Sequence, residues 1–270
     1  MTPSDSLRFK LYEQTIQSPQ WTTQYLPQFH QWLHKKNPLS FREDFCGTGA
    51  IAVEWAKLSP KHTASGLDIN PVALKYAKTH NLAQLPPSLA SRIELKKQNV
   101  LTPTARKFDM IGAFNYSYFV FHQRALLLKY FKSVHASLNS KGTFFLDVAG
   151  GPGFIESHIE SETFQLKDIG EVTQFWEQQD MDPVTSLNHY AIHFKLESGK
   201  WLKNAFKYHW RVWGISELRE LLTEAGFDKT VVLWPEPDKK GEPTDYYVPS
   251  ERGTALQSWN AFVVGVKKPT

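Results

Sequence analysis

Phe41-Arg42-Glu43-Asp44-Phe45-Cys46-Gly47-Thr48-Gly49 is the stretch on which the reading of this chain turns. A strand over about 39–45 runs into two glycines, and a helix-forming segment, AIAVEWAKL (50–58), follows at once. Gly47 and Gly49 let the backbone turn sharply and come close to a ligand. The helix N-terminus beyond them offers unpaired N–H groups. A second strand, TASGLD (63–68), ends on Asp68, where a carboxylate can accept both hydroxyls of a ribose. In a parallel sheet, the point where strand order reverses opens both loops onto one crevice.

Outward from this point, strands and helices alternate. Asn70-Pro71 is an N-cap followed by proline at the first helical position, and that helix runs to about His80. Strands are expected at 92–98, 108–114 and 142–148, with a helix over 122–138. Such alternation implies a parallel sheet covered by helices on both faces. After Gly150-Gly151 the pattern changes. Residues 163–213 hold alternating aromatic and polar stretches, VTQFWEQ, LNHYAIHFKLE and KWLKNAFKYHWRVW, with Ser198-Gly199 as a hairpin signal. They predict a three-stranded antiparallel insertion. A helix over 215–227 stops at Gly226. A strand at 230–234, a polar loop rich in proline and a last strand at 260–266 complete the chain. Residues 7–36 keep helical spacing, broken at Pro19 and Pro27. The expected divisions are an N-terminal helical segment (1–36), a main domain (37–150 and 214–270) and a β insertion (151–213).

Composition narrows the class. The single cysteine, Cys46, forbids an intramolecular disulfide and reads as a small buried residue. The N-terminus lacks the apolar region of a secretory signal, and no run of apolar residues is long enough for a membrane span. A cytoplasmic protein without membrane partners is the expectation. The net charge of +4 comes from scattered lysine pairs rather than a basic run. It disfavours a nucleic-acid partner without ruling one out. Ten histidines and one cysteine give no zinc-ligand spacing, so no metal is expected.

Two ligand classes fit the glycine loop. Gly47-Thr48-Gly49-Ala50-Ile51-Ala52 also matches a G-x-G-x-x-A dinucleotide fingerprint, which would make the chain a nicotinamide-dependent oxidoreductase. Glu43 argues otherwise. A carboxylate there opposes a pyrophosphate but can receive the ammonium group of an amino acid. The order after the fifth strand, a helix ending in Ala-Gly-Phe, then a strand and a final strand, is also unlike a dehydrogenase.

The segments EDFCGTGA, SGLDIN, QNV, FDMIGAFNYSYF, LNSKGTFFLDVAGG and ISELRELLTEAGF resemble the ordered motifs of class I S-adenosylmethionine-dependent methyltransferases. More narrowly, LYEQTIQSPQW, REDFCGTGA, HNLAQLP, FNYSYFVF, HWRVWGISELRELLTEAGF and SWNAFVVG resemble one bacterial subfamily of methyltransferases without an assigned substrate. The resemblance implies a Rossmann-like α/β sheet of seven strands with the last antiparallel, N-terminal helices and a β insertion after strand five. It implies S-adenosylmethionine as cofactor. Glu43, Gly47 and Gly49 would form the methionine-binding loop. Asp68 would hold the ribose, Ile69 would pack beside the adenine, and Asn99 and the Val100 N–H would meet the adenine edge. Asn115 and Tyr116 would sit by the methyl-bearing sulfur. One departure stands out: Phe45 occupies the place of the loop's usual first glycine.

Several residues carry two readings. Arg42 and Asp44 either pair with each other, or Asp44 shares the cofactor's ammonium. Asn99 either meets adenine or caps a turn. Asp147 is a candidate base or an anchor for the Gly150-Gly151 turn. His122 reads as a first-turn residue or a catalyst, and His209, beside Arg211, as structural or acceptor-binding. The insertion's aromatics either pack on the main domain or lid the crevice and line an acceptor pocket. The expected function is methylation of a small molecule on nitrogen or oxygen. An RNA methyltransferase is the alternative, ahead of the oxidoreductase.

Overall fold

A computed structural model of the chain describes residues 1–268. Its elements are α1 (Pro3–Thr15), α2 (Pro19–His34), β1 (Ser40–Asp44), α3 (Ala50–Lys57), β2 (Thr63–Asp68), α4 (Pro71–Tyr76), α5 (Pro87–Ala90), β3 (Ile93–Lys97), β4 (Phe108–Ala113), α6 (Arg124–Ser137) and β5 (Leu138–Gly150). Then come β6 (His158–Leu166), β7 (Gly170–Gln178), β8 (Leu187–Leu196), β9 (Trp201–Arg211), α7 (Ile215–Glu224), β10 (Lys229–Pro237), β11 (Pro243–Pro249) and β12 (Trp259–Val266).

The main sheet runs β11-β10-β12-β5-β4-β1-β2-β3. Strands β1 to β5 pair in parallel, and β12 lies antiparallel to both β5 and β10. The order reverses between β1 and β4, so the β1 loop opens at the switch point, as expected. The sheet has eight strands, one more than the seven expected. The proline-bounded segment expected to be a loop is β11, which pairs antiparallel with β10. An edge strand needs only one hydrogen-bonded side, so Pro243 and Pro249 are tolerated there.

The insertion is also larger than its aromatic pattern suggests. It is a four-stranded antiparallel sheet, β6-β7-β8-β9. Strand β6 is mostly exposed, so it carries no apolar alternation for a sequence reading to find. Pro27 does not break its helix: α2 continues through it to His34. Buried Thr23, Leu26 and His30 pin that helix along its length, and packing outweighs the lost hydrogen bond.

The N-terminal helix α1 starts on a capping box. Thr2 Oγ1 accepts the Asp5 N–H at 3.1 Å, and Asp5 Oδ2 accepts the Thr2 N–H at 2.9 Å. Its buried Leu11 packs with Val172, Ile192 and Phe194 of the insertion, and its Phe9 packs with Tyr76 and Phe206. Helix α1 therefore ties the insertion to α4. Among the described residues, no helix is long and apolar enough to cross a membrane.

Inside the sheet, Arg42 and Asp44 pair with each other. Arg42 Nε lies 2.8 Å from Asp44 Oδ1, and Nη2 donates to Oδ2 at 2.9 Å, both side chains fully buried. Tyr130 Oη donates to Asp44 Oδ2 at 2.9 Å. Of the two readings of Asp44, the pairing with Arg42 is the one present here: Oδ2 accepts from Arg42 and Tyr130, and Oδ1 lies at ion-pair distance from Arg42 Nε. Breaking a buried pair strands a charge. Arg42→Met should lower stability by about 3–5 kcal/mol in denaturant unfolding, and Arg42→Met with Asp44→Leu should recover most of it. An Arg42→Met protein as stable as wild type would show the pair to be idle.

Candidate functional site

The loop after β1 takes three left-handed residues in succession along its length: Phe45 at φ +57°, Gly47 at +51° and Gly49 at +69°. Glycine reaches this region freely, whereas a Cβ costs about 1–2 kcal/mol. Phe45 is held there by packing, its ring 5.9 Å from Phe121 and 5.6 Å from Tyr130. Where the resemblance has a glycine, this chain reaches the same backbone turn with an anchored aromatic. A Cβ added at Gly47 would meet no atom within 4 Å. The loop therefore presents bare backbone to open space, which is the surface a close-lying ligand requires. At Gly49 a Cβ would press on Leu95. Cys46 is buried, with its sulfur beside Gly66, as a packing residue should be.

Glu43 is buried and accepts the Ala52 N–H at 3.2 Å. Burial pushes its carboxyl well above the usual range, and Asp68 and Asp44 add to the push. An incoming ammonium group would offset that cost. Asp68 joins the two loops: Oδ2 accepts the Gly47 N–H at 2.7 Å, and Oδ1 accepts the Asn70 N–H at 2.7 Å. Each oxygen keeps a lone pair for a hydroxyl. Ile69, next along the chain, is 64% exposed, an apolar face left open beside this carboxylate. Asn99 Oδ1 accepts the Leu101 N–H at 2.9 Å, so the turn-capping role is realised. Val100 buries its side chain in the core.

At the end of β4, Asn115 and Tyr116 both take positive φ, +55° and +54°. Asp147 on β5 holds this strained pair. Its Oδ2 accepts the Asn115 N–H at 2.5 Å and its Oδ1 accepts the Tyr116 N–H at 3.0 Å. Asp147 is thus an anchor, but of the Asn115–Tyr116 turn rather than of Gly150-Gly151. Desolvation raises its carboxyl to about 7, against the backbone N–H donors that lower it.

Two groups that the sequence reading did not place at the site come from α1. Tyr12 has its hydroxyl near that of Tyr208 and lies within reach of the charges of Asp147 and Glu43. Glu13 Oε1 accepts from Asn81 Nδ2 at 2.6 Å, and the same amide donates to the Thr48 carbonyl at 2.9 Å. Helix α1 therefore lies across the glycine loop. The signal was present: LYEQ and HNLAQLP hold Tyr12, Glu13 and Asn81, but nothing local says that they meet.

One aromatic row of the insertion faces Tyr116. Trp210 lies 6.0 Å from Tyr116, and Trp176, Tyr190 and Tyr208 surround Trp210 at 6.2, 5.2 and 4.3 Å. Next to it lies a cavity of about 480 Å³, walled by Tyr116, Phe154, Trp176 and Trp259. Tyr116 Oη donates to Asn260 Oδ1 at 2.6 Å at its edge. His209 is on the opposite face of β9. It is exposed, stacks on His189 at 4.2 Å and lies 4.6 Å from His122. His122 Nε2 meets the His209 carbonyl at 2.7 Å, and Arg211 Nη1 donates to the His122 carbonyl at 3.1 Å. These contacts join the insertion to the main domain on the face of β9 opposite Trp210. Among the described residues, no group of histidine, cysteine and carboxylate side chains could hold a metal.

Asp147 gives a pH test. Its folded value, about 7, lies above the unfolded one. Its contribution to stability is therefore complete below about pH 4 and is lost as pH rises through about 7. Asp147→Asn cannot ionise, so its stability should fall about 3–4 kcal/mol less than that of wild type between pH 4 and 8. Glu43 titrates in the same sense in both proteins, so the difference isolates Asp147. Urea midpoints across that range check it, and curves of equal slope would place the titration elsewhere.

No family model matches the chain, and no curated protein matches it. Solved structures do. An S-adenosylmethionine-dependent methyltransferase from Clostridium acetobutylicum matches at 18% identity and TM-score 0.67, covering 97% of this chain and 98% of its own. CalS10 from Micromonospora echinaspora, an amino pentose methyltransferase of calicheamicin biosynthesis with S-adenosylmethionine bound, matches at 13% and 0.69, covering 97% of each. The sugar N-methyltransferase KedS8 from Streptoalloteichus matches at 14% and 0.66, covering 96% of this chain and 92% of its own. The chain has, over nearly its whole length, the fold of these S-adenosylmethionine-dependent methyltransferases.

Proposed function

We propose that the protein is an S-adenosylmethionine-dependent methyltransferase of a small molecule, acting on nitrogen. The observation that carries this is the pairing of Asp68 with Gly47: one carboxylate fixes a glycine whose open side is bare backbone, beside exposed Ile69. A ribose on Asp68, an adenine on Ile69 and an amino-acid end towards Glu43 fit this layout. When bound, S-adenosylmethionine supplies an electrophilic methyl group, the departing carbon–sulfur bond leaving its electron pair on sulfur.

The chain's own residues then position and exclude water. Asp68 and Glu43 hold the two ends of the cofactor, and Asn115 and Tyr116 lie at the transfer point. Helix α1 and the insertion, residues 151–213, act as a lid. The acceptor occupies the cavity beside Tyr116, where aromatic walls suit an amine through cation–π contact and stacking. KedS8, which shares the fold, is a sugar N-methyltransferase, and that agrees with nitrogen as the acceptor atom.

Calorimetry with S-adenosylhomocysteine tests the assignment. Asp68→Asn keeps the shape of the side chain but loses its charge, and should weaken binding by about 2–4 kcal/mol. Gly47→Val should abolish binding while costing the fold about 1–2 kcal/mol for its positive φ, since its branches enter the open space. Normal binding by either folded variant would sink the site. A reduced nicotinamide bound in place of S-adenosylhomocysteine would overturn the function.

A further inference from the structure

The cavity beside Tyr116 joins residues of the main sheet to parts added around it. Its apolar walls include Trp176 of β7 and Trp259 of β12. Its two carboxylates come from different additions, Glu160 from β6 of the insertion and Asp245 from the edge strand β11. No lysine or arginine lines it. Among the described residues, neither carboxylate pairs with a lysine or arginine; the ion-pair partner of Glu160 is His158, at 4.0 Å. The protein as a whole carries a net charge of +4, so this negative mouth is local and opposes the global charge.

We propose that this cavity selects an acceptor that is a phosphate-free amine with a second positive charge, a diamine or a larger polyamine. The proposal rests on the methyltransferase reading above and names its substrate class. The reacting nitrogen points to Tyr116, the apolar stem lies along Trp176 and Trp259, and the distal ammonium sits between Glu160 and Asp245. A phosphate in the same place would face two carboxylates with no lysine or arginine to receive it, and His158, the one histidine of the lining, already lies against Glu160. Both carboxylates are exposed, so each contributes modestly and under salt screening. The selection is one of charge sign, with aromatic burial providing most of the contact.

Binding can be read without turnover from the indole N–H signals of Trp176 and Trp259 in a nitrogen-15 spectrum, with S-adenosylhomocysteine present. The probes come in pairs that differ by one group: putrescine with butylamine, and ethanolamine with phosphoethanolamine. Putrescine should bind about fivefold to tenfold tighter than butylamine at low salt, with the ratio shrinking in 0.5 M sodium chloride as about that much salt screens the mouth. Glu160→Gln with Asp245→Asn should bring the ratio to about one, with S-adenosylhomocysteine affinity unchanged. Ethanolamine should move the indoles and phosphoethanolamine should not. The proposal is overturned if phosphoethanolamine binds as well as ethanolamine, if the double variant keeps the preference, or if no amine moves either indole. In each of those cases retained S-adenosylhomocysteine binding leaves the methyltransferase reading standing, whereas its loss in the wild type removes that reading itself.

Discussion

Asp68 accepts one backbone N–H from each of two loops, Gly47 after β1 and Asn70 after β2. Without that bridge the two strand ends would have unpaired donors at the mouth of the sheet. Asp147 repeats the device between β5 and the strained Asn115–Tyr116 turn, and Glu43 repeats it with Ala52 at the start of α3. At each strand end that borders the crevice, an acidic side chain satisfies backbone donors, so the loops can leave the sheet at steep angles. The crevice is held open by carboxylates.

That solution has an electrostatic cost. Glu43 and Asp147 are held above their ordinary values by desolvation, so the folded protein carries groups that would be more comfortable in water. Arg42 and Asp44 show the alternative: burial raises Asp44 too, but Arg42 and Tyr130 oppose the rise within the core. The contrast separates roles. Asp44 has a resident cation and Asp147 anchors a turn, whereas Glu43 has a single backbone donor and, among the described residues, no cation of its own. Active sites commonly keep such destabilised groups, and removing them tends to raise stability at the expense of binding.

Much of this was legible in the sequence, because the informative features are local. The strand–glycine–helix passage at Phe41–Gly49 and the acidic end of β2 are each contained in a few residues, and the structure places Gly47 and Asp68 together. The alternation of elements fixed the parallel order of β1 to β5. What stayed hidden depends on partners. Asp147 carries two readings in the sequence, a base or an anchor of Gly150-Gly151, and neither names its actual hydrogen-bond partners, Asn115 and Tyr116, which follow another strand. The Arg42–Asp44 question had two answers until burial on both sides closed it. Helix α1 has its Tyr12 and Glu13 in plain view, but only the fold brings them over Thr48. Strands β6 and β11 are exposed edges whose polar residues give no periodic signal, and so both were missed as strands.

Those hidden parts are also the ones that individualise the protein. The parallel core brings Gly47, Asp68 and Asn115 to one end of the sheet, and it would do so for many acceptors. Helix α1, the insertion and the β10–β11 hairpin are separate in sequence, yet each contributes residues to one cavity: Thr15 and Ile16, Trp176 and Gln178, and Thr244 and Asp245. Gln178 shows how firmly that wall is set. Buried, it donates to the Gly153 carbonyl at 2.9 Å and accepts from Trp176 Nε1 at 3.1 Å. The indole is therefore fixed by the strand that carries it and by the loop that follows β5. A wall held at two points keeps its shape before any ligand arrives, which lowers the ordering cost of binding. Specificity on this fold consequently lies in the additions, and the core contributes the place where they meet.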